Sequence, residues 1–475
     1  MVARLKRPVS WVIIALLLTS VWISKILPAN ADFETALKSD SQLNRVWTVP
    51  LNTSLGDWKH YHDYTEIVSM LLYLNSTYSE FVDVFSIGKS WQNRDIYCIR
   101  LTNESSTNEK PKVLFVGYHH AREVISAELP FYFAVAAASN YGADRTITTV
   151  LNRCEIYIVI ALNVDGLEII KTNEWQRKNA HPFDDDGDSL PDENPPSDVD
   201  KDGSIEFFME EGDNCRQWTE GIDTDGDGLI GEDGVGGVDL NRNYGYQWDT
   251  PLASSSDSYP SSEVYRGPAP FSEPETQALR DLALRHSFKY AISFHSGSEC
   301  IIYPWGYTIS PTPHGAIFNE TARNLATLVN APYFQGGVGL YTISGEWGDW
   351  MYGNRSTLAM TCEIYSNITA WQYTLLNGTI SHPKFSCFKG IFQSYNPSPA
   401  NIEKVIKRWL PVFTYISDRA INYNVTIKPV PFFEPPMKGY ATMMPPELYS
   451  ALATVLTMVL VSAKHRTHRK TTLPW

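Results

Sequence analysis

Three residues that are far apart in the sequence, His120, Glu123 and His295, carry the kinds of side chain that hold a catalytic zinc ion. Two imidazole nitrogens and one carboxylate fill three positions of a tetrahedral ion and leave the fourth to water. Because His120 and Glu123 are three residues apart, a tight turn or the start of a helix can direct both at one ion. An isolated His-x-x-Glu is also common as a surface ion pair, so its surroundings must decide.

A second carboxylate, Glu363, ends a largely apolar segment over residues 359–362. A metal-dependent hydrolase needs such a carboxylate off the metal, where it can take a proton from the attacking water. Apolar surroundings raise the pKa of a carboxyl group and thereby suit it to exchange protons near neutral pH. We therefore predict that Glu363 is the general base and later the proton donor.

Several short motifs surround these residues. In chain order they are Gly117-Tyr-His-His-Ala-Arg-Glu-Val-Ile-Ser126, Arg177-Lys-Asn179, Asp239-Leu-Asn-Arg-Asn-Tyr244, Tyr265-Arg-Gly-Pro268, Phe271-Ser-Glu-Pro-Glu275, Phe294-His-Ser296, Tyr341 with Ser344-Gly345, Asp349-Trp350 and Thr361-Cys-Glu363. In this order and at these spacings they resemble the zinc metallocarboxypeptidases of the carboxypeptidase A type. The resemblance runs over about residues 62–422, most of the chain. Many motifs in register are far more specific than any one of them.

The resemblance implies one zinc ion, held by His120, Glu123 and His295. His119 is the rival ligand, but the family pattern places the ligand three residues before the glutamate, which leaves His119 to packing or to supporting the ligands. Zinc would lower the pKa of its water and polarise the scissile carbonyl. In this family the position of Glu363 carries the general base.

The resemblance also implies how a peptide is held. Asn241 and Arg242 match the pair that grips the free C-terminal carboxylate, and a guanidinium meets a carboxylate through two parallel hydrogen bonds. Arg122 matches a further subsite arginine, and Tyr341 the mobile tyrosine that closes over the bound residue. Ser296 follows a zinc ligand and is expected to contact substrate. A surface ion pair is the alternative for any single Arg or Asn in this set.

The group that stabilises the oxyanion departs from the family pattern. The family often shows Arg-Lys-x-Arg, in which the second arginine faces the developing negative charge. Here Arg177 matches the first arginine, and Ala180 stands at the position of the second. Positive charge placed beside the carbonyl oxygen lowers the barrier by a few kcal/mol. We assign this role to Arg177 for want of a better candidate.

Residues 344–348 match the stretch that lines the pocket for the terminal side chain. Gly348 stands near the position that separates apolar from basic preference, and it contributes no side chain. Glu346, two positions earlier, could reach a substrate Lys or Arg, although an ordinary surface glutamate is nearly as common. We expect broad specificity for apolar and basic residues.

Strand-like apolar runs alternate with helical stretches along the chain. The runs cover residues 95–101, 113–116, 156–162, 291–294 and 358–363, and the helical stretches cover residues 64–78, 127–138, 273–286, 316–329 and 400–422. Such alternation predicts an α/β protein with a central, mostly parallel sheet. The resemblance implies a three-layer α/β/α sandwich around a mixed, mostly parallel eight-stranded sheet, with the zinc at the carboxyl ends of the strands.

An acidic insertion covers residues 184–233. It contains 19 acidic and two basic residues, a balance of −17, so that the rest of the chain sums to +3. Three runs place aspartates at alternate positions: Asp184, Asp186 and Asp188; Asp198, Asp200 and Asp202; Asp223, Asp225 and Asp227. Oxygen-rich loops with this spacing suit calcium, and Ile205 could anchor one loop in a core. A disordered acidic loop is the alternative.

The two ends of the chain carry apolar segments. Residues 1–31 have the basic, apolar and small-residue regions of a signal peptide, with an uncleaved anchor as the alternative. Residues 32–59 form a short lead, 60–424 the catalytic domain and 425–447 a Pro-rich stalk. Residues 448–463 predict a transmembrane anchor and 464–475 a basic cytoplasmic tail, with an interfacial helix as the alternative. The enzyme would then lie on the extracellular face of the membrane.

The remaining composition bears on the protein's partners, its export and the state of its cysteines. Without a basic groove outside the tail, nucleic acid is not an expected partner. Eight Asn-x-Ser/Thr sequons agree with an exported glycoprotein, at Asn52, Asn75, Asn103, Asn319, Asn354, Asn367, Asn377 and Asn424. Six cysteines permit up to three disulfides, but Cys98, Cys300 and Cys362 lie in strand-like runs where a buried free thiol is expected.

These observations predict an exported, membrane-tethered zinc carboxypeptidase that acts on the C-termini of peptides or proteins. One alternative is a catalytically silent adhesion or peptide-binding protein that works through its calcium loops. Another is a zinc amidase that acts on cell-wall peptides. The intact zinc triad and Glu363 argue against the first, and the Asn241-Arg242 pair argues for a free C-terminus.

Overall fold

The computed structural model describes residues 55–105, 109–183, 191–192, 197–202, 205–210, 217–223, 236–251, 253–260, 262–367, 372–376, 385–423 and 427. The chain divides into two units, residues 1–430 and 431–475, and all described residues belong to the first. The predicted signal peptide, transmembrane anchor and basic tail lie outside the described residues. So do the aspartates at positions 184, 186, 188, 225 and 227.

Eight strands form the central sheet. They are β1 (Val82–Lys89), β2 (Asp95–Leu101), β3 (Lys112–Gly117), β4 (Glu155–Val159), β7 (Phe288–His295), β8 (Ser298–Tyr303), β9 (Tyr333–Gln335) and β10 (Leu358–Tyr365). Their order is β1-β2-β4-β3-β7-β10-β8-β9. The inner strands β4, β3, β7 and β10 run parallel to one another. The pairs β1-β2, β2-β4 and β10-β8 are antiparallel, and β8 pairs with β9 in parallel. The predicted mixed eight-stranded sheet is therefore confirmed.

Helices flank this sheet. They are α1 (Tyr64–Thr77), α2 (Ile125–Asn140), α3 (Arg145–Arg153), α4 (Gly166–Ile169), α5 (Pro274–Arg285), α6 (Gly315–Val329), α7 (Gly336–Gly339), α8 (Trp347–Arg355), α9 (Ile391–Tyr395), α10 (Ile402–Trp409) and α11 (Pro411–Asn422). Helix α2 packs against β3 and β7, α8 against β10, and α11 against β3. Among the helices of the described residues, we find none of the length and apolarity needed to cross a membrane.

Local sequence explains where several helices begin and end. Asp63 caps α1 by accepting a hydrogen bond from the backbone of Glu66, whose side chain in turn bonds the backbone of Asp63. The helical stretch over residues 400–422 contains two helices, because Pro411 has no N–H to donate and begins α11. Of the 16 residues in α2, the first 14 are buried, which makes it the central helix of the core.

A second sheet was not predicted. It has the order β11-β12-β5-β6 and is built from β5 (Phe207–Glu210), β6 (Gln217–Thr219), β11 (Gln372–Leu376) and β12 (Phe385–Lys389). Strands β5 and β6 belong to the acidic insertion, whereas β11 and β12 follow the last strand of the central sheet. The insertion is thus joined by backbone hydrogen bonds to a distant part of the chain.

The described cysteines have free thiols. Cys98, Cys300 and Cys362 are buried, as predicted, and Cys154 is buried as well. Burial raises the pKa of each of these thiols, so they stay protonated and behave as small apolar side chains.

Candidate active site

Three parallel strands bring the predicted metal ligands together. The turn after β3 carries His120 and Glu123, and β7 ends at His295. Strand β10 lies beside β7 and pairs Glu363 with His295 in register. Gly117 ends β3 where a Cβ would lie 2.5 Å from two carbonyl oxygens, so only glycine lets the chain turn there. The carboxyl ends of adjacent parallel strands thus converge on one point.

The three ligand side chains face one another. The Nδ1 atoms of His120 and His295 are 3.2 Å apart, and each lies within 3.0 Å of a carboxylate oxygen of Glu123. All three residues are buried, and their donor atoms lie within 4.8 Å of one another. Two imidazole nitrogens and a carboxylate in this arrangement fit a zinc ion with one position left for water.

Asp239 orients this cluster, although sequence reasoning gave it no role. Its Oδ1 lies 3.0 Å from Nε2 of His120, which directs Nδ1 of that ring to the metal position. The Oδ2 atom accepts hydrogen bonds from Arg177 at 3.0 Å. Asp239 stands at the head of the Asp239-Leu-Asn-Arg motif, so an acidic residue two positions before Asn241 was the available signal.

The charges of this cluster compensate one another. Burial alone would raise the pKa of Glu123, but the adjacent His120 and His295 lower it well below its usual value. Burial likewise opposes ionisation of Asp239, yet Arg177, Arg242 and His120 hold its pKa well below the usual range. Both carboxylates are therefore ionised and available to a cation or to its ligands.

The rival ligand His119 points elsewhere. Its Nε2 lies 3.0 Å from the hydroxyl of Tyr244, and its Nδ1 lies 3.1 Å from Oγ of Ser293. Burial, with His295 and His120 nearby, lowers the pKa of His119 well below its usual value, so the ring is neutral. Since both of its nitrogens are engaged away from the cluster, His119 packs behind the ligands.

Glu363 reaches the same pocket from β10. Burial raises its pKa to about 8, and the Glu123 carboxylate adds to this shift. Its Oε2 is buried and has no hydrogen-bond partner among the described residues. A carboxyl group in this state is available to exchange a proton with a molecule that enters the pocket.

The pocket, called the zinc pocket below, has a volume of about 140 Å³. Eleven of the predicted zinc-site and substrate-binding residues line it: His120, Glu123, Arg177, Asn241, Arg242, His295, Ser296, Tyr341, Glu346, Gly348 and Glu363. Tyr395 also lines it and was not anticipated, because it lies in the short helix α9, far from any recognisable motif.

Two residues of one short 3-10 turn present polar groups to this pocket. Arg242 is fixed through bonds from Nε to the carbonyl of Ser255 and from Nη1 to that of Asn241. The Oδ1 of Asn241 accepts from the backbone of Trp347, which leaves its Nδ2 without a partner among the described residues. A rigid guanidinium and an amide donor side by side suit a carboxylate.

Arg177 lines the zinc pocket beside the metal cluster. It bonds Asp239, and its Nη1 is 3.7 Å from Oε1 of Glu123. Ala180, at the position of the missing second arginine, has no charge to offer. Arg177 thus brings its positive charge next to the metal position, as the oxyanion assignment requires, while also serving as a partner of Asp239.

Glu346 lies in the wall of the zinc pocket and is 8% exposed. Its Oε2 accepts from the backbone of Asp349 and caps α8, and its Oε1 accepts from Thr361 at 3.3 Å. A Cβ at Gly348 would lie 3.1 Å from both carboxylate oxygens, so this glycine gives the carboxylate room. The same pocket is also lined by the apolar side chains of Ile302, Leu340, Ile343 and Met360.

Arg122 does not line the zinc pocket itself. Its Nη1 donates to the carbonyl of Trp175 and to Glu263, and its guanidinium lies 5.0 Å from the ring centre of Tyr395. Because Tyr395 lines the pocket, Arg122 borders the site through that ring. A subsite role for Arg122 stays a prediction.

The described part of the acidic insertion also contains a cluster of carboxylates. Asp198, Asp200 and Asp202 lie together, and Asp200 also lies close to the buried residues Glu206 and Glu220. The carboxylate of Glu220 accepts hydrogen bonds from the backbone of Val199, Asp200 and Glu206. Asp223 is half-buried, and Ile205 is buried at 3% exposure, as the core anchor was expected to be.

Comparison with known proteins places this geometry in a family. A model of the zinc carboxypeptidase family matches residues 67–381. Carboxypeptidase A1 of Rattus norvegicus is 26% identical over 324 residues, which is 66% of this chain and 64% of that protein. Carboxypeptidase B of Astacus astacus is 28% identical over 305 residues, or 62% of this chain and 83% of that protein. This chain thus spans less than two thirds of the rat protein.

Solved structures show the same fold. The crystal structure of thrombin activatable fibrinolysis inhibitor superposes with a TM-score of 0.57 at 19% identity, over 86% of this chain and 80% of that chain. Carboxypeptidase A from Helicoverpa armigera gives a TM-score of 0.56 at 18% identity, over 77% of this chain and 75% of that chain.

Proposed function

The chain belongs to the zinc carboxypeptidase family, and from this premise we propose that it removes single residues from the free C-termini of peptides. One observation carries the proposal. The zinc pocket is lined both by the metal cluster with Glu363 and by the Asn241-Arg242 pair. A peptide held there by its terminal carboxylate would place its last amide bond near the metal.

The residues present fit zinc. Nδ1 of His120, Nδ1 of His295 and the carboxylate of Glu123 would hold it, and Asp239 fixes the orientation of His120. When bound, zinc lowers the pKa of a water molecule toward neutrality and polarises a carbonyl group.

Glu363 would act first as the general base and then as the general acid. Its unpartnered Oε2 accepts a proton from the attacking water and later returns it to the nitrogen of the leaving amino acid. The raised pKa favours this exchange, because a carboxyl group of ordinary acidity would hold the proton too weakly to return it at neutral pH.

The positive groups have separate tasks. Arg242 and the Nδ2 of Asn241 bind the terminal carboxylate and so select a free C-terminus. Arg177 places its charge beside the cluster, where negative charge develops on the carbonyl oxygen. Tyr341, half-buried in the wall, would close over the bound residue.

The substrate's last side chain would enter the part of the pocket near Gly348. Apolar residues line it, and the Glu346 carboxylate lies within the same wall. An apolar side chain would gain from burial there, and a Lys or Arg would reach the carboxylate. We therefore propose activity on both apolar and basic C-termini.

Matched substrates test the proposal. Blocked dipeptides ending in a free carboxylate should be cleaved, and their C-terminal amides should not. Arg242→Lys keeps the charge but loses the two-pronged geometry, so it should raise KM for free acids by about tenfold. Arg266→Lys, whose partner Asp249 lies on the surface, is the matched control. Equal cleavage of acids and amides would instead indicate an endopeptidase or an amidase.

The described part of the insertion supports a calcium site. Asp198, Asp200 and Asp202 would supply oxygen ligands, and Glu206 and Glu220 would extend the set. The backbone of Ile205 joins this loop to the segment that precedes Arg177, because its N–H donates to Glu174 and its carbonyl accepts from Nε1 of Trp175. We propose that calcium stabilises this connection.

Export and tethering remain proposals. Residues 448–463 would anchor the enzyme, with the catalytic domain outside the cell. Fractionation of cells that express the full chain, or a chain ending at residue 447, tests this. Release of only the shortened chain into the medium is expected, and release of both would argue against the anchor.

A further inference from the structure

Asp349 is a buried carboxyl residue to which the proposed reaction gives no role. It lies in the first turn of α8, three positions after Glu346, and is 1% exposed. Glu346 caps the same helix and accepts a hydrogen bond from the backbone of Asp349. The start of α8 therefore carries two carboxyl groups, that of Glu346 in the lining of the zinc pocket and that of Asp349 behind the lining.

The two carboxyl groups come together at Gly306, which lines the zinc pocket. A Cβ atom built on Gly306 would lie 3.5 Å from Oδ2 of Asp349 and 3.7 Å from Oε2 of Glu346. Gly348 lines the pocket as well, and its Cβ position is 3.1 Å from both carboxylate oxygens of Glu346. One point in the pocket wall is thus close to both carboxyl groups, and the two residues beside it have no side chains to separate them from a bound cation.

The loop that contains Gly306 also fixes the Asp349 side chain. The backbone N–H of Gly306 lies 2.9 Å from Oδ1 and 3.0 Å from Oδ2 of Asp349, and the backbone N–H of Tyr307 donates to Oδ2 at 2.9 Å. Such backbone donors orient a carboxyl group but carry no net charge to compensate it. The position of Asp349 is therefore set, while its charge is left to its surroundings.

These surroundings disfavour a negative charge on Asp349. In the described part of the chain, the charged group that acts on it is Glu346, and the titratable groups that face it from other elements are the phenols of Tyr246 and Tyr307. Burial raises the pKa of both phenols, so they stay neutral. Burial and the Glu346 carboxylate together raise the pKa of Asp349 well above its usual value. Asp349 thus keeps a proton at pH values where an exposed aspartate is ionised.

A proton on Asp349 and a cation at Gly306 would relieve the same repulsion between the two carboxyl groups. When an apolar side chain occupies the pocket, the proton stays, because no other positive charge is near. When the ammonium or guanidinium group of a substrate enters, its charge replaces that of the proton. Binding of a basic side chain and ionisation of Asp349 therefore favour each other.

We propose that Asp349 is a second specificity-determining residue, which with Glu346 receives the charged group of a C-terminal Lys or Arg and releases its proton to solvent when that group binds. The O–H bond of the Asp349 carboxyl group breaks, and the resulting carboxylate pairs with the substrate cation. This inference deepens the proposed function and rests on it. Since the ionised form of Asp349 increases as pH rises, the preference for basic C-termini should increase in the same direction.

Two blocked dipeptides that end in arginine or in leucine test the proposal on one preparation of the full chain. The ratio of their kcat/KM values cancels the steps that both substrates share, including the proton transfers of Glu363, and arginine stays charged throughout. Between about pH 6 and pH 9 the arginine-to-leucine ratio should rise about tenfold. The attraction of a second carboxylate would exceed this, but the cost of removing charges from water offsets part of it.

Asp349→Asn should remove the pH dependence of this ratio. An amide oxygen in the place of Oδ2 can still accept from the backbone of Gly306 and Tyr307, but the amide cannot ionise. The ratio should therefore stay at its low-pH value up to about pH 9. The matched control is Asp281→Asn on α5, where the aspartate pairs with Arg280 and its side chain is 47% exposed. This control should keep the tenfold rise.

Proton release gives a second measurement that needs no variant. Calorimetric titration of the wild-type protein with L-arginine and with L-leucine, each in two buffers of different ionisation enthalpy, should show more protons released by arginine, with a difference of up to about one. A flat ratio in the wild type, a pH-dependent ratio in Asp349→Asn, or equal proton release would each overturn the proposal. If neither dipeptide is cleaved, the proposed reaction fails, and the proton-release comparison still decides whether Asp349 responds to a cation.

Discussion

The zinc pocket and the loop that carries Asp198, Asp200 and Asp202 both contain several carboxylates, but they are stabilised in opposite ways. In the zinc pocket, His120 hydrogen-bonds the buried carboxylates of Glu123 and Asp239, and Arg177 pairs with Asp239. In the loop, three negatively charged aspartates stand at alternate positions, and Asp200 and Asp202 are exposed.

This difference predicts how each region depends on its ion. The zinc pocket is organised by residues from separate strands and by opposite charges, so its shape should persist without metal. Like charges in the loop repel one another, so an ion would contribute to its folding directly. Loss of metal should therefore abolish chemistry in the zinc pocket but loosen structure in the loop.

The largest effect should follow Glu363→Gln. The amide preserves shape but cannot accept the proton of the water, so kcat should fall about a thousandfold while zinc stays bound. Steady-state kinetics with zinc analysis measure both. Glu299→Gln, on the neighbouring strand and paired with Arg408, is the control and should stay active. Turnover near the wild-type rate would remove Glu363 from the mechanism.

Asp239→Asn tests whether the charge around the ligands matters. The amide can still bond His120, but it removes the negative charge that Arg177 and Arg242 face. Loss of such a partner typically weakens metal affinity by about 10–100-fold. Competition with a chromogenic chelator measures zinc affinity, with Asp249→Asn as a surface control. An unchanged affinity would show that zinc binding does not need the negative charge of Asp239.

Glu346→Gln should change preference more than activity. It keeps an acceptor for the cap of α8 but removes the charge that would meet a Lys or Arg. We expect kcat/KM to fall about tenfold for basic C-termini and little for apolar ones. Measuring both substrate classes on one preparation separates specificity from folding. An equal loss for both classes would make Glu346 structural.

The smallest effect should come from calcium. Binding to the folded form alone stabilises it by about 2.7 kcal/mol at a free concentration roughly one hundred times Kd. Hydrogen exchange should show calcium-dependent protection in residues 197–223, with zinc retained under a calcium-selective chelator. Asp200→Asn with Asp202→Asn should lose this response, and Asp83→Asn should keep it. Identical exchange and melting with and without calcium would contradict a calcium site.

The sequence by itself determined which residues are candidates for the chemistry and which elements carry them. Apolar runs predicted β2, β3, β7 and β10, and the family resemblance that the motifs carry implied that His120, Glu123, His295 and Glu363 would meet. These features depend on local periodicity and on residue type at fixed spacing, which the sequence displays directly. The mixed eight-stranded sheet followed from the resemblance that the same motifs carry.

Only the tertiary structure decided how those residues are supported. Asp239 contacts His120 although 119 positions separate them in the chain, and Gly348 leaves space for the Glu346 carboxylate in the pocket wall. The second sheet pairs β5 of the acidic insertion with β12, which lies far along the chain. No local pattern encodes such contacts, because they depend on which distant segments the folded chain brings side by side.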